Sequence, residues 1–320
     1  MSNVLPEHSE PAVETVYPTR EALWQKRIAI EEVRERHHRR RMAKSQREKP
    51  VDEGDLIAFV LKSVGLWARG RRNAVEPVLR EIDFHCPGLP PRLDGFTLLQ
   101  MTDLHFYRGF EWLDPLKEVV RSAEADVCVL TGDYRFYHWG PCDIAVEGMK
   151  RLLPAVRTRH GTYAILGNHD TYRIVEPYRA LGIRWLLNDN VTLRHNGEEV
   201  HFAGIDDNHG YRSHSLPLAL EGLPDDGFRI LLAHSPAIAD EASESGVDLC
   251  LCGHTHAGQI RFPFVGPLFL NAPRTPRRVC SGTWRHGNTQ GYTSAGLGST
   301  GAPVRFNCPP EAALIRLRSI

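Results

Sequence analysis

Residues 96–105 read Phe96-Thr97-Leu98-Leu99-Gln100-Met101-Thr102-Asp103-Leu104-His105, an apolar run closed by a carboxylate and an imidazole two positions apart. The run 96–101 has the length and composition of a buried strand. In extended chain, residues i and i+2 point to the same side, so Asp103 and His105 can reach one point in space. The pattern recurs along the chain. Apolar residues 127–130 precede Gly132-Asp133, and 162–166 precede Gly167-Asn168-His169-Asp170. Residues 228–233 precede His234, and 247–252 precede Gly253-His254-Thr255-His256. Five strand ends therefore carry nitrogen and oxygen ligands to one edge of a sheet.

Outward from these strands, residues 112–125 and 145–156 have helical spacing. Residues 78–84, 191–194, 199–204, 292–298 and 312–317 read as further strands. Alternating strands and helices in this number point to the α/β class. The expected architecture is a four-layer α/β/β/α sandwich, two mixed sheets packed face to face and flanked by helices. Ahead of this domain, assigned to residues 73–320, lies an N-terminal extension, residues 1–72. Its first 19 residues read as a loose tail. Residues 21–49 read as a charged surface helix, and 55–72 as a short amphipathic helix ending at Gly70.

The 320 residues carry 39 Lys or Arg and 39 Asp or Glu, so overall charge argues for neither nucleic acid nor an acidic partner; nucleic acid is disfavoured because the one broad basic stretch lies outside the expected catalytic domain. Locally, residues 20–50 hold eleven basic against five acidic side chains. Such a segment can be a solvated face, can wrap the domain or pair two subunits, or can meet an anionic bilayer through residues 20–72. On the last reading, removing residues 1–72 should release the protein from liposomes and leave hydrolysis of a small diester intact. Seven Cys, several inside core strands, fit free thiols better than a disulfide framework. With no leader-like start and no run long enough to span a bilayer, the expectation is a cytoplasmic protein, peripheral on the inner face of the cell membrane if the bilayer reading of residues 20–72 holds.

The mixed N/O set Asp103, His105, Asp133, Asn168, His234, His254 and His256 suits Mn, Fe or Zn and is a poor shell for Ca or Mg. Two such cations about 3.5–4 Å apart share a hydroxide nucleophile and neutralise phosphoryl oxygens during in-line attack. Rival schemes are missing. Ser235 has no G-x-S-x-G elbow around it, and there is no P-loop.

The ordered motifs resemble those of the calcineurin-like metallophosphoesterase superfamily over about residues 96–317. The stretches GHTHAGQ (253–259) and YTSAGLGSTGAPVRFNCPPE (292–311) resemble the bacterial branch of YkuE- and YaeI-like proteins, itself similar to UDP-2,3-diacylglucosamine pyrophosphatases. That resemblance implies one metal on Asp103, His105 and His256, another on Asn168, His234 and His254, and Asp133 bridging both. Mn is the first expectation for the two ions, with Fe or Zn as alternatives. The resemblance makes His169 the acid that protonates the leaving oxygen, with Asp170 orienting its ring. Tyr107, Arg108, Arg135 and His138 are the expected substrate contacts. Ala257 departs from the branch, which usually has glycine there. The implied activity is hydrolysis of a phosphodiester or pyrophosphate, with a lipid-linked nucleotide such as UDP-2,3-diacylglucosamine as substrate. A broad phosphodiesterase and a non-catalytic metal-binding scaffold stay open as alternatives.

Overall fold

Segments that are apolar on both faces must lie between two layers. Thr97–Met101, Val127–Leu130, Arg229–Leu232 and Leu249–Cys252 are buried almost throughout. In the computed structural model, which describes residues 18–44, 53–107, 110–267, 270, 272 and 275–320, these segments are central strands. The chain begins with α1 (Arg20–Lys44), α2 (Glu53–Ser63) and α3 (Trp67–Asn73), then β1 (Val78–Cys86), β2 (Thr97–Met101), α4 (Leu113–Arg121), β3 (Glu124–Ala125), β4 (Val127–Leu130) and α5 (Asp143–Leu152). It continues through β5 (Arg157–Thr158), β6 (Thr162–Ala164), α6 (Val175–Ala180), β7 (Ile183–Trp185), β8 (Asp189–His195), β9 (Glu198–Gly204), α7 (Leu216–Leu220) and β10 (Arg229–Leu232). The last elements are α8 (Ala239–Glu244), β11 (Leu249–Cys252), β12 (Arg261–Phe262), β13 (Gly266–Pro267), β14 (Gly282–His286), β15 (Thr289–Thr293) and β16 (Glu311–Ser319).

One sheet has the order β1-β16-β2-β4-β6-β7 and is parallel except where β16 meets β2. The other runs β14-β15-β11-β10-β9-β8, parallel inside with an antiparallel pair at each edge. Successive strand residues point to opposite faces. Leu98, Val127, Val129 and Ile315 thus face Phe202, Ile230, Leu232 and Leu251 between the sheets. Their neighbours Leu99, Cys128 and Leu130 meet Leu116 and Val120 of α4 and Met149 of α5 outside. Leu231 and Cys250 meet Ala219 of α7 and Ala242 of α8 on the far side. The result is the four-layer α/β/β/α sandwich. Register brings Met101, Leu130 and Ala164 level at one edge, with Gly204, Leu232 and Leu251 level in the other sheet. All seven cysteines are free, and no helix among the described residues is long and apolar enough to cross a membrane.

The N-terminal segment differs from expectation. Residues 1–17, most of the expected tail, lie outside the described residues. Far from being a solvated face, α1 buries Leu23, Arg27 and Glu31, which its period places on one stripe. Arg27 pairs with Asp206, and Glu31 accepts from Thr171 Oγ1 and from the Tyr172 amide. The single helix expected over 55–72 is two, because Gly65 takes φ 72° and turns the chain between them. The second runs on past Gly70, whose carbonyl accepts from the Arg305 amide at 3.0 Å, while Asn73 Nδ2 donates to the Arg305 carbonyl at 2.9 Å.

Candidate metal centre

Each ligand follows the last paired position of its strand by two to four residues, so the loops of both sheets meet at one edge. Cross-loop hydrogen bonds hold them there. The Asp103 amide donates to Gly132 O at 2.9 Å, the His105 amide to Asp133 O at 3.0 Å, and the His254 amide to the Asp103 carboxylate at 3.0–3.1 Å. The turns are tight enough that Asp103, His105, Asp133, His254 and His256 all have φ between 40° and 72°. Left-handed backbone at non-glycine residues costs about 1–3 kcal/mol each and persists only where its surroundings over-determine it.

The seven expected ligands converge and are all buried. Asp103, His105 and His256 form one group, Asp133, His234 and His254 another. Asp133 Oδ2 lies between them, 3.7 Å from His105 Nε2 and 3.2 Å from His234 Nε2. Asn168 Oδ1 is 3.1 Å from His234 Nε2, and the Nε2 atoms of His105 and His256 face each other at 3.1 Å.

Proton positions test whether the donors suit cations. Nδ1 of His105 faces the Arg135 carbonyl and Nδ1 of His234 the Thr131 carbonyl, both at 2.8 Å. A carbonyl only accepts, so both rings carry a proton on Nδ1 and turn Nε2 inward. Burial holds His105 down to about 4, and keeps His256 well below the ordinary imidazole range with His105 adding to the effect. These two rings are neutral; the lone pair of His105 points inward, while Nδ1 of His256 faces the donor-only Arg305 guanidinium. Burial also lifts Asp103 to about 7. For Asp133 burial acts in the same direction, but His234, His169 and His105 together outweigh it and hold the carboxyl well below its usual range. His234 is in turn raised to about 10, because Asp133 overcomes the burial that would discharge it. The inward lone pair of His105 and two buried carboxylates are stabilised by positive charge among them. The donor set fits a pair of divalent cations.

The calcineurin-like phosphoesterase family matches residues 96–258, the span that supplies every one of these donors. The chain belongs to this family. It is 31% identical over 287 residues to the metallophosphoesterase YkuE of Bacillus subtilis, covering 83% of this chain and 94% of that protein. It is 29% identical over 232 residues to the phosphodiesterase YaeI of Escherichia coli, covering 69% and 82%. A bovine transmembrane protein with a metallophosphoesterase domain is 30% identical over 289 residues, covering 82% of this chain and 61% of the longer protein. With its fold and its two ligand clusters, the chain is a metal-dependent phosphoesterase.

Within this calcineurin-like centre, His169 reaches the rim. Its Nδ1 faces the Phe136 carbonyl at 2.8 Å, and its Nε2 is 3.8 Å from Asp133 Oδ2. His138 stacks on it with ring centroids 3.5 Å apart. Two expected roles need correction. Asp170 does not touch the His169 ring. Its carboxylate accepts the amides of Asp133, Tyr134 and Gly167 at 2.8 Å each, and so ties two ligand loops together. Arg135 is not open to substrate either. It is buried, and its guanidinium donates to the carbonyls of His169, Gly140 and His138. Tyr107 is half-buried beside Phe136, its hydroxyl raised by burial and partly offset by Arg71. Arg108 lies outside the described residues.

Three supporting residues escaped the sequence reading. Arg27 donates to the carbonyls of Gly167 and Asp170 at 3.0 Å, bracing the Asn168-His169 loop from behind. Arg305 donates to Ala295 O at 2.8 Å and approaches His256 Nδ1 at 3.4 Å. His209 lies against His254 with ring centroids 4.2 Å apart. The Asp207 beside it, which holds the turn by accepting two amides, was the available signal.

Proposed function

We propose that this phosphoesterase hydrolyses a phosphodiester or pyrophosphate bond in a lipid-linked substrate, of which UDP-2,3-diacylglucosamine is the first to test, as a member of the YkuE/YaeI-like branch. The observation that carries the hydrolytic reading is the convergence of Asp103, His105, Asp133, Asn168, His234, His254 and His256 in one buried cluster. Asp103, His105 and His256 would hold one ion, Asn168, His234 and His254 the other, and Asp133 both, with Mn preferred over Fe or Zn. Bound there, the ions supply Lewis acidity that activates water and neutralises phosphoryl charge.

The chain's own residues do the rest. His169, its Nδ1 proton spent on Phe136 O, turns Nε2 toward the cluster at the open side. Burial, against the pull of Asp133, keeps this ring well below the ordinary imidazole range. An arriving phosphate anion favours its protonated form, and the proton is then placed for the leaving oxygen. His138, stacked on His169, limits the ring's motion and offers an edge to the substrate. Tyr107 stands on the same rim.

The lipid-linked reading has a separate support. Leu56, Phe59, Val60 and Val64 form one exposed apolar stripe on and after α2, with Lys62, Arg69 and Arg72 nearby. The bovine relative is by name a transmembrane protein. YaeI, by name a phosphodiesterase, supports the alternative of small diesters.

The test is hydrolysis after Mn reconstitution of chelator-treated protein, comparing UDP-2,3-diacylglucosamine with bis-p-nitrophenyl phosphate, beside Asp133→Asn. Cleavage of the lipid nucleotide that falls at least 10³-fold in Asp133→Asn is the expected result. Turnover of the small diester alone discards the lipid substrate and keeps the chemistry. Turnover of neither points to a substrate class other than these two, or to a metal-binding scaffold.

A further inference from the structure

At the sheet edge opposite the dinuclear cluster, three more metal-type donors converge. Asp126 immediately precedes β4, His160 lies between β5 and β6, and His195 ends β8 in the other sheet. His160 Nε2 is 3.2 Å from His195 Nδ1, and His195 Nδ1 is 3.6 Å from Asp126 Oδ1. All three donor atoms lie within 4.8 Å of one another. We propose that Asp126, His160 and His195 form a second, mononuclear site for a zinc-like divalent cation, clamping the two sheets together at the edge away from catalysis.

The donors are built into the fold. Asp126 Oδ2 accepts from the Thr97 amide at 2.9 Å and from Thr97 Oγ1 at 3.0 Å, which leaves Oδ1 for the histidines. The His160 amide donates to the Asp126 carbonyl at 2.8 Å, fixing that loop against the carboxylate. Phe96 walls the cluster, 5.0 Å from His195 edge-on and 6.3 Å from His160 face-on. In a tetrahedral shell with metal–nitrogen distances of about 2.0–2.1 Å, two ring nitrogens stand roughly 3.3 Å apart, matching the pair here. Two imidazoles and a carboxylate select Zn, Co, Ni or Cu over Mg or Ca, with water completing the shell. Arg159 also approaches Asp126 Oδ1, at 3.9 Å, but its side chain is 64% exposed and turns readily to solvent.

The competing account is a hydrogen-bonded histidine pair with no ion. The full-length protein, chelator-treated and re-equilibrated with zinc, separates the two. His195→Ala and His160→Gln are each expected to hold one metal equivalent fewer than wild type, with hydrolysis of bis-p-nitrophenyl phosphate unchanged. Zinc should raise the wild-type Tm by more than that of either variant. Equal metal content and equal zinc-induced shifts in all three proteins would overturn the site. His160, half-exposed, provides the folded variant should His195→Ala fail to fold.

Discussion

At φ 48° and ψ 24°, Ala257 occupies left-handed backbone between two glycine-like turns of the final ligand loop. An L-residue there costs about 1–2 kcal/mol. Glycine would remove that strain but lose about 0.5–1 kcal/mol to unfolded-state entropy, and a further ~0.8 kcal/mol for the buried methyl, which packs with Ala295 and Cys308. These contributions nearly cancel, so alanine is tolerated at this left-handed position. Ala257→Gly is therefore expected to change unfolding free energy by less than about 1 kcal/mol in urea titration, with kcat unaltered. Gly253 is the opposite case. A methyl there would run into the Asp103 carboxylate and Thr102 Oγ1. Gly253→Ala should displace Asp103, cost about 1–3 kcal/mol, and weaken metal binding 10-fold or more by the standard of disturbed ligand orientation. Isothermal titration with Mn would show it, and an unchanged Kd would refute the close-approach argument.

At the scale of elements, α1 acts as a brace. Its Arg27 is fully buried, pairs with Asp206, and holds the backbone between Gly167 and Asp170. Removing one partner of a buried pair costs about 3–5 kcal/mol. Arg27→Met should lower stability by that order and lower kcat as well, because the loop carrying Asn168 and His169 loses its support. A stable variant with wild-type kcat would show the brace to be idle. The sequence left wrapping the domain as one of several readings and gave no sign of the buried arginine, since a helix with so many Lys and Arg has the pattern of a solvated face, and one buried arginine does not alter that pattern. The strands that end in ligands were legible because each is a compact apolar run followed at once by a chemically distinctive residue. Ile183–Trp185 and Gly282–His286 were not, being too short or too polar to show a period. At the site, ligand types and spacing exposed the converging set. The true partners of Asp170 and Arg135 are backbone groups, which leave no mark in residue identity.

For the whole molecule, docking of α1 changes how contact with a bilayer must be tested. Deleting residues 1–72 would remove Arg27 and Glu31 and damage the centre together with any surface contact. Substituting Leu56, Phe59 and Val60 with Ser leaves the brace intact. All three are exposed, so folding should change by no more than about 0.5 kcal/mol each. The triple variant is expected to lose co-sedimentation with anionic liposomes while hydrolysing bis-p-nitrophenyl phosphate at the wild-type rate. Equal sedimentation of both proteins would remove the membrane from the account.

The reach of Arg27 to Asp206 also bears on how the protein is made. The two are 179 residues apart. At about 5–20 residues per second, α1 leaves the ribosome roughly 10–35 s before its partner exists. Through that interval α1 presents its Leu23, Arg27 and Glu31 stripe undocked, with the guanidinium lacking its carboxylate partner. A chain terminated short of Asp206 would leave Arg27 buried against the Gly167 and Asp170 carbonyls without its ion-pair partner.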